Sequence, residues 1–455
     1  MQSETIADDG LILEAARRAT RYVGALDRRS VRPTPEAVAR LEAALAAPLP
    51  EKGRDPAAVL ADLDEIAGPA TVASAGRRYF GFVTGGALPV TVGASVLAAA
   101  WDQNAASSTS SPAASRLEEA ALRWLAELLG LPRPVAGTLV TGATLANFSA
   151  LAAARHALLT RAGHDVEADG LFGAPPIPVY VGAEAHVSLR KALGLLGLGR
   201  DRVELLAADE QGRIRADALP RLVGPALVCA QAGNVNSGAS DPFAALREWC
   251  DRAGAWLHVD GAFGLFAAAS PRLRAGVEGV ERADSWATDA HKWLNVPYDC
   301  GMAFVRDASA LRGAMAIGAS YLPSDGTRQP SHYGPALSRR ARGVELYAAL
   351  QSLGRDGVAD LVERCCRHAA RFAEGLRAAG HEVLNEVALN QVVVGFGDRA
   401  ETQRVISRVQ EEGVCWVGPT VWRGRDAMRI SVSSWATRDE DVERSLDSIL
   451  RAATR

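Results

Sequence analysis

Lysine is almost absent from this sequence of 455 residues. Only Lys52, Lys191 and Lys292 are lysines among its 50 basic residues, and the others are arginines. Arginine stays protonated and cannot act as an amine nucleophile, whereas a buried lysine can lose its proton and form a Schiff base. Because the chain uses arginine for ordinary surface charge, each lysine that it keeps is of interest. Lys292 lies in a stretch of apolar and small residues, DSWATDAHKWLNV.

Other absences exclude whole classes of protein. No apolar run reaches about 18 residues without a charge, so we expect no membrane span. The sequence has no polybasic stretch and a net charge of −3, so nucleic acid is not an expected partner. Its six cysteines form no CxxC pair and its His/Cys spacing suggests no zinc site, so we expect no metal. The cysteine usage and an acidic N-terminus without a signal-like apolar run favour a cytoplasmic protein.

The sequence divides into three regions. Residues 1–75 are rich in Ala, Arg and Leu and predict an N-terminal helical arm. Residues 76–315 alternate short apolar strands with helices, which predicts a large α/β domain with a mostly parallel sheet. Residues 316–455 begin with a polar loop at about 318–337 and predict a small α+β C-terminal domain. The predicted strands of the large domain are GTLV (137–140), PVYV (178–181), ALVC (226–229), WLHV (256–259), SWAT (285–288) and GMAFV (301–305).

Polar residues follow several of these strands, where the ligand crevice of an open α/β sheet lies. In TGATLAN (141–147), Gly142 and the start of a helix could hold a phosphate, although an ordinary strand–helix turn is the alternative. His186 follows PVYV and could stack on a flat ring or move protons, or it could cap a helix. Asp260 ends an apolar strand and needs a partner, which could be a protonated ring nitrogen, an arginine or a backbone amide.

The stretch around Lys292 completes this set of residues. Lys292 is the candidate Schiff-base amine, and an interface salt bridge is the alternative for it. Thr288 and His291 are candidate phosphate donors. A phosphate site, a ring-stacking histidine, a carboxylate for a ring nitrogen and an amine for an aldehyde together describe one ligand, pyridoxal phosphate (PLP).

The sequence resembles the group II PLP-dependent amino-acid decarboxylases, the family of the aromatic amino-acid and glutamate decarboxylases. The resemblance runs from about residue 76 to the C-terminus. It rests on the motifs RRYFGFVTGG, SSPAASRLE, LVTGATLANFSALAAAR, EAHVSLRKALGLLG, AQAGNVNSGASDPF, WLHVDGAFG, ADSWATDAHKWLNVPYDCG and MRISVSSWATRDEDVE. It implies a large α/β domain of PLP fold type I (aspartate-aminotransferase-like), a small C-terminal domain, and a homodimer with active sites at the subunit interface.

The resemblance also implies roles for residues at matching positions. Lys292 would bind the cofactor, Asp260 would pair with its pyridine nitrogen, Ala262 would lie beneath its ring and His186 would stack over it. Further cofactor contacts are expected from Gly142, Ala143, Thr144, Asn234, Thr288 and His291. Substrate contacts are expected from Tyr79, Phe80 and Arg429.

Three features of this chain depart from the family pattern. Many relatives have Gly-Thr-Thr where this chain has Gly233-Asn234-Val235, and some have Asn-Pro where it has Asp289-Ala290. The loop at about 318–337 is also short. In decarboxylases that loop carries a tyrosine that protonates the product carbon. Here Tyr333 is the candidate catalytic acid, and Tyr321 and His332 are the alternatives.

The resulting prediction is a PLP-dependent carboxy-lyase that converts an L-amino acid, with aromatic amino acids among the candidates, to its amine and CO2. One alternative keeps the cofactor but changes the outcome, giving an oxygen-using decarboxylative aldehyde synthase or a carbon–carbon lyase of the same family. Another is a non-catalytic scaffold that keeps the PLP fold.

Overall fold

A seven-stranded sheet forms the centre of the molecule. The computed structural model describes residues 8–222, 224–318 and 327–454. The strands of this sheet are β1 (Ala136–Val140), β2 (Val179–Gly182), β3 (Val203–Leu206), β4 (Leu227–Gln231), β5 (Trp256–Asp260), β6 (Ser285–Asp289) and β7 (Gly301–Val305). Their order is β1-β7-β6-β5-β4-β2-β3, and β7 runs antiparallel to its neighbours while the others share one direction. The predicted mostly parallel sheet is confirmed.

Helices cover both faces of this sheet, which explains why its inner strands are continuous apolar runs. On one face Cys229 and Ala287 pack with the alanine-rich helix α7, and on the other Val228 and Trp286 belong to the larger core. The helices are α1 (Asp8–Ala25), α2 (Pro35–Leu45), α3 (Pro56–Asp62), α4 (Gly68–Ala70), α5 (Pro89–Trp101), α6 (Pro112–Leu128), α7 (Ala143–Arg161), α8 (Val166–Asp169), α9 (Val187–Leu195), α10 (Phe243–Asp251), α11 (Ala308–Met315), α12 (Gly343–Ala378), α13 (Arg399–Glu412) and α14 (Asp439–Thr454).

A second, smaller sheet forms the C-terminal domain. Its strands are β8 (Glu382–Val383), β9 (Gln391–Gly395), β10 (Gly418–Trp422) and β11 (Arg425–Ser431), in the order β10-β11-β9-β8. Helices α12, α13 and α14 pack on it and on one another. Among the helices described, none is long and apolar enough to cross a membrane.

Candidate cofactor and active site

The carboxyl ends of β1, β5 and β6 lie next to the beginning of α7, and this junction brings most of the predicted residues together. The backbone N–H of Asp289, at the end of β6, donates to the carbonyl of Ala262, just beyond β5 (3.0 Å). A Cβ atom on Gly142 would lie 3.1 Å from Cε1 of His291, and one on Gly301 would lie 2.5 Å from Cα of Gly142. The close approach of these segments therefore leaves little or no room for a side chain at either glycine.

Lys292 lies in the loop after β6, with 18% of its side chain exposed. Its Nζ is 3.2 Å from Oδ2 of Asp289, whose side chain is only 2% exposed. Oδ1 of the same carboxylate has no hydrogen-bond partner among the described residues. The main chain is confined as well, because a Cβ on Gly85 would lie 1.9 Å from the Lys292 carbonyl oxygen. The salt bridge of Lys292 is thus formed with Asp289 of the same chain. It holds the Lys292 amine inside the junction.

Asp260 is buried at the end of β5 and accepts two hydrogen bonds. Its Oδ1 accepts from the backbone N–H of Ala262 (3.2 Å), and its Oδ2 accepts from Nδ2 of Asn147 on α7 (3.0 Å). The backbone amide considered from the sequence is therefore one of its partners, and a side-chain amide that the sequence did not indicate is the other. Two fixed donors hold the carboxylate in one orientation.

A chain of buried hydrogen bonds extends from Asp260 into the core. Oδ1 of Asn147 lies 2.9 Å from Nε2 of His258, whose Nδ1 lies 2.9 Å from Oγ of Ser285. Nε1 of Trp256 donates to that same Oγ (2.9 Å). Because an amide oxygen can only accept, Nε2–H of His258 donates to Oδ1 of Asn147, and Nδ2 of Asn147 donates to Asp260.

The bond to Asn147 requires a proton on Nε2 of His258, and in a neutral imidazole Nδ1 then accepts from the Ser285 hydroxyl. Burial lowers the pKa of His258 to about 4, which is consistent with that state at neutral pH. His258 and Asp260 are two residues apart on β5, so both face α7. This series of hydrogen bonds therefore connects the core of the sheet to the Asp260 carboxylate, along the face of the sheet that α7 covers.

His186 precedes α9 and caps it. Its Nδ1 accepts from the backbone N–H of Ser188 (3.3 Å) and lies 2.8 Å from the hydroxyl oxygen of the same residue. Burial lowers the pKa of His186, Asp260 opposes this effect, and Lys292 and Arg429 add to it. His186 is therefore a helix cap, which was the alternative role that the sequence left open. The cap holds the imidazole ring where the charges of Asp260, Lys292 and Arg429 act on its pKa.

The beginning of α7 offers an anion site. Gly142 precedes the helix, and no side chain caps it. The N–H groups of the first turn, which include those of Ala143 and Thr144, have no partner inside a helix and point out of its end. The His291 ring lies beside Gly142, and its Nδ1 accepts from the N–H of Cys300 (3.2 Å), which puts its proton on Nε2. Backbone and imidazole donors therefore converge where a phosphate was expected.

The structure does not bring Thr288 or Asn234 to this anion site as donors. Side chains alternate along β6, so Thr288 shares the face of Trp286, opposite to α7, and its Oγ1 is buried without a partner among the described residues. The Asn234 side chain is used in a turn. Its Nδ2 donates to the carbonyl of Glu184 (3.2 Å), and its Oδ1 accepts from the N–H of Asn236 (2.8 Å).

Arg429 on β11 carries the charge expected for binding a carboxylate. Its Nη1 donates to the carbonyl of Val235 (3.3 Å), and the described residues include no carboxylate in an ion pair with it. Burial lowers the pKa of the guanidinium. A half-buried arginine without an acidic partner can bind an incoming carboxylate through two parallel hydrogen bonds.

The two aromatic residues predicted for the substrate pocket differ in position. Tyr79 stacks on Trp416 with ring centroids 6.2 Å apart, and burial raises its pKa to about 12. Phe80 is 1% exposed and packs edge-on against Phe372 (5.1 Å) in the core. Because neighbouring side chains in an extended segment point to opposite sides, only Tyr79 faces Trp416. Phe80 is therefore a core residue, and contact of either residue with the substrate stays a prediction.

Tyr333 lies apart from the Lys292 junction of its own chain. It packs under the guanidinium of Arg328 (4.5 Å from its centroid) and lines a cavity with Ala136 and Gly137, at the amino end of β1. The anion site lies beyond the other end of that strand, about 15 Å away at about 3.3 Å per residue. The role of Tyr333 as a proton donor stays a prediction. Tyr321 lies outside the described residues.

Sequence reasoning missed Asn147 and His258, although both lie in motifs that it used. His258 is two residues before Asp260 on a strand, so the period of the strand places them on the same face. Asn147 follows Ala143 by one helical turn, and no local pattern indicates which strand it meets. Tyr298 was also missed; its ring stacks on that of His291 with centroids 4.3 Å apart.

A lysine, a fixed carboxylate and an anion-binding helix end, at the carboxyl edge of this sheet, are the features of a PLP-dependent enzyme of fold type I. The family profile described as the pyridoxal-dependent decarboxylase conserved domain matches residues 39–396. L-2,4-diaminobutyrate decarboxylase of Rhizobium meliloti (strain 1021) is 31% identical over 430 residues, 88% of this chain and 83% of that protein. The chain therefore belongs to the pyridoxal-dependent decarboxylases, and it is a PLP-dependent amino-acid carboxy-lyase.

Further comparisons agree with this family. Tryptophan decarboxylase 1 of Oryza sativa subsp. japonica is 28% identical over 427 residues, 84% of this chain and 81% of that protein. A crystal structure of Oryza sativa TDC with PLP and tryptamine superposes with a TM-score of 0.91 at 24% identity, covering 100% of this chain and 99% of that one. The structure of mouse CSAD in apo form gives a TM-score of 0.90 at 21% identity, covering 99% of each chain. The predicted fold, family and cofactor are confirmed.

The residues at the junction fit PLP. The uncapped end of α7 suits its phosphate, the twice-bonded Asp260 suits a protonated ring nitrogen, and Lys292 suits its aldehyde. When bound, PLP supplies an electron sink for the pair of electrons that the departing carboxyl group leaves on the substrate.

Proposed function

We propose that Lys292 is the residue that binds PLP and that Asp260 holds its ring nitrogen in the protonated form. An adjacent negative charge favours the protonated state of a ring nitrogen. The observation that carries the proposal is the series of hydrogen bonds from Trp256 to Asp260. These bonds hold the Asp260 carboxylate in one orientation, as a hydrogen-bond acceptor. A carboxylate with only a packing role would not need Trp256, Ser285 and His258 to hold the side chain of its partner Asn147.

In this proposal the remaining residues position the cofactor and the substrate. Gly142, Ala143, Thr144 and His291 bind the phosphate, and His186 covers the ring from the position that its cap fixes. Arg429 receives the substrate carboxylate. Because a tight ion pair would stabilise the substrate as much as the transition state, orientation of the breaking bond is the useful contribution of Arg429.

We propose that the substrate is a free L-amino acid. The relatives include enzymes named for diaminobutyrate, tryptophan and histidine, so the side chain that this enzyme accepts is open among basic, aromatic and imidazole groups. Burial of Tyr79 against Trp416 gives the entry region an aromatic wall, which supports a flat or apolar side chain.

We also propose that the chain works as a homodimer in the cytoplasm. No described side chain of α1–α4 is buried within the chain, and α5 exposes Val96, Leu97 and Trp101 by 44%, 52% and 46%. A second copy would cover these apolar faces. The six cysteines are all unpaired, which supports a reducing compartment. Boundaries near residues 75 and 315 would separate the arm, the large domain and the small domain.

Product analysis tests the proposed reaction. The PLP-loaded enzyme is incubated with the twenty common amino acids, diaminobutyrate, ornithine and DOPA, with and without oxygen, and products are identified by mass spectrometry. We expect one amine, formed without oxygen. An aldehyde formed only with oxygen would assign the protein to the aldehyde synthases instead. No product from any of them would count against a free amino acid of these classes.

A further inference from the structure

A second charged cavity lies on the C-terminal side of the molecule, and it shares no residue with the Lys292 junction. It has a volume of about 510 Å³ and lies between α12 and the segment that leads into α14. Its walls include Arg77, Arg364, Arg367, His368, Trp435 and Arg438. We call it the arginine cavity. Its volume exceeds what an inorganic phosphate needs and suits a small molecule.

The arginine cavity has an excess of positive charge. Four arginines line it, and Asp439 is the carboxylate among its lining residues. That carboxylate is already shared, since its Oδ1 lies 2.5 Å from Nη1 of Arg371 and 3.3 Å from Nδ1 of His368. Its charge therefore offsets only a small part of the charge on the walls.

Two of the four guanidinium groups lack a protein partner. Arg77 pairs with Asp27 (2.9 Å), and Arg364 pairs with Asp360 (2.5 Å) and donates to the carbonyl of Trp435 (3.0 Å). Within residues 8–222, 224–318 and 327–454, the side chains of Arg367 and Arg438 make no hydrogen bond or ion pair. They come from separate elements, α12 and the segment before α14, and both line one cavity.

We propose that the arginine cavity binds a small polyanion, with one oxyanion group at Arg367 and another at Arg438. Guanidinium groups bind phosphate and carboxylate oxygens through paired hydrogen bonds, so bisphosphates and polycarboxylates share the required chemistry. The indole of Trp435 forms an aromatic wall for the part of such a ligand between its charged groups.

Occupancy of the arginine cavity is coupled to the Lys292 segment through Trp435. The N–H of Trp435 donates to Oδ1 of Asn295 (3.0 Å), and its Nε1 donates to the carbonyl of Ala87 (2.9 Å). Nδ2 of Asn295 in turn donates to the carbonyl of Trp293 (3.0 Å), next to Lys292. A ligand that moves Trp435 therefore moves the loop that holds the amine. This coupling, unlike the binding, rests on the proposed role of Lys292.

Calorimetric titration of the PLP-loaded enzyme with inorganic pyrophosphate, and separately with citrate, tests the binding. We expect one site per chain, and we expect R367Q/R438Q to weaken binding at least about tenfold. The matched control is R355Q/R404Q, which removes the same charge from two paired arginines whose partners, Glu127 and Glu401, lie outside the cavity. Binding that is absent from the wild type, or equal in the two double variants, overturns the proposal. Binding of pyrophosphate alone identifies phosphate as the recognised group, and binding of citrate alone identifies carboxylate.

The rate at which PLP leaves the enzyme, followed by absorbance, tests the coupling. Saturating pyrophosphate, or citrate where only citrate binds, should change this rate about fivefold in the wild type and leave it unchanged in R367Q/R438Q. An unchanged rate in a wild type that binds the anion contradicts the coupling and leaves the site itself established.

Discussion

The Lys292 junction and the N-terminal helices use charged residues in opposite ways. At the junction the charges are buried, and each has a directed partner, as Asp260 does in Asn147 and Ala262. In α1–α4 the ion pairs, such as Arg21 with Asp64, lie at the surface, and no described side chain is buried. Buried polar groups are costly when unpaired, so they fix one geometry, whereas exposed pairs contribute little. The chain thus determines the geometry of its own site, whereas the exposed helices α1–α4 are the surface that the proposed homodimer would cover.

The largest effect is expected from the junction, with Lys292→Ala. The variant should lose the absorbance of lysine-bound PLP and all measurable decarboxylation, because no other described lysine lies at this sheet edge. The control is Lys191→Ala, which removes an exposed lysine on α9. Absorbance and activity that survive in the Lys292 variant would show that another group binds the cofactor.

Asn147→Asp should have the next largest effect, because it keeps the size of the side chain but replaces the donor to Asp260 with an acceptor. Two facing buried carboxylates should weaken PLP binding at least tenfold and lower the free energy of unfolding of the apoenzyme by about 3 kcal/mol. Titration with PLP and urea unfolding measure the two quantities. Ser149→Ala, which removes another buried polar side chain of α7, is the control and should cost about 1 kcal/mol or less. Equal effects of the two substitutions would show that the bond to Asp260 has no special role.

The pH dependence of stability tests His258. Its pKa in the folded chain, about 4, is below its unfolded value of about 6.5, so the unfolded chain binds the extra proton first. Its stabilising contribution is therefore complete above pH 6.5 and decreases as the pH falls towards 4, by about 3 kcal/mol in total. Urea unfolding of the apoenzyme and of His258→Gln at pH 7 and 4.5 isolates this contribution. Equal losses of stability in the two proteins would contradict it.

The smallest effect on the chain itself is expected in the arm. Ile12→Asp combined with Leu13→Asp places charge on an exposed apolar face of α1, where these side chains are 50% and 56% exposed. We expect sedimentation velocity to show monomers, with less than about 0.5 kcal/mol change in the unfolding free energy of the monomer. Arg17→Gln on the same helix is the control and should leave the assembly intact. A pair of aspartates that leaves the dimer intact would place the interface elsewhere.

The same contrast explains what the sequence could predict. Six strands of the large sheet were predicted because they are buried on both faces and form short apolar runs, whereas β3 was missed because Glu204 and Leu205 on this edge strand are exposed. Asp260, His186 and Lys292 were predicted because each follows a strand of an α/β sheet. Asn147 was not predicted, since its contact with Asp260 depends on how α7 lies across β5. Thr288 as a phosphate donor stays a prediction, and its side chain lies on the face of β6 opposite to α7.

The most direct test of the account is to locate PLP on the chain. The loaded enzyme is reduced with borohydride, which makes the link between lysine and cofactor permanent, then digested and mapped by mass spectrometry. The account predicts the cofactor mass on the peptide that contains Lys292, at one per chain. The same mass on Lys191 or Lys52, or on no lysine, would contradict the assignment of the site.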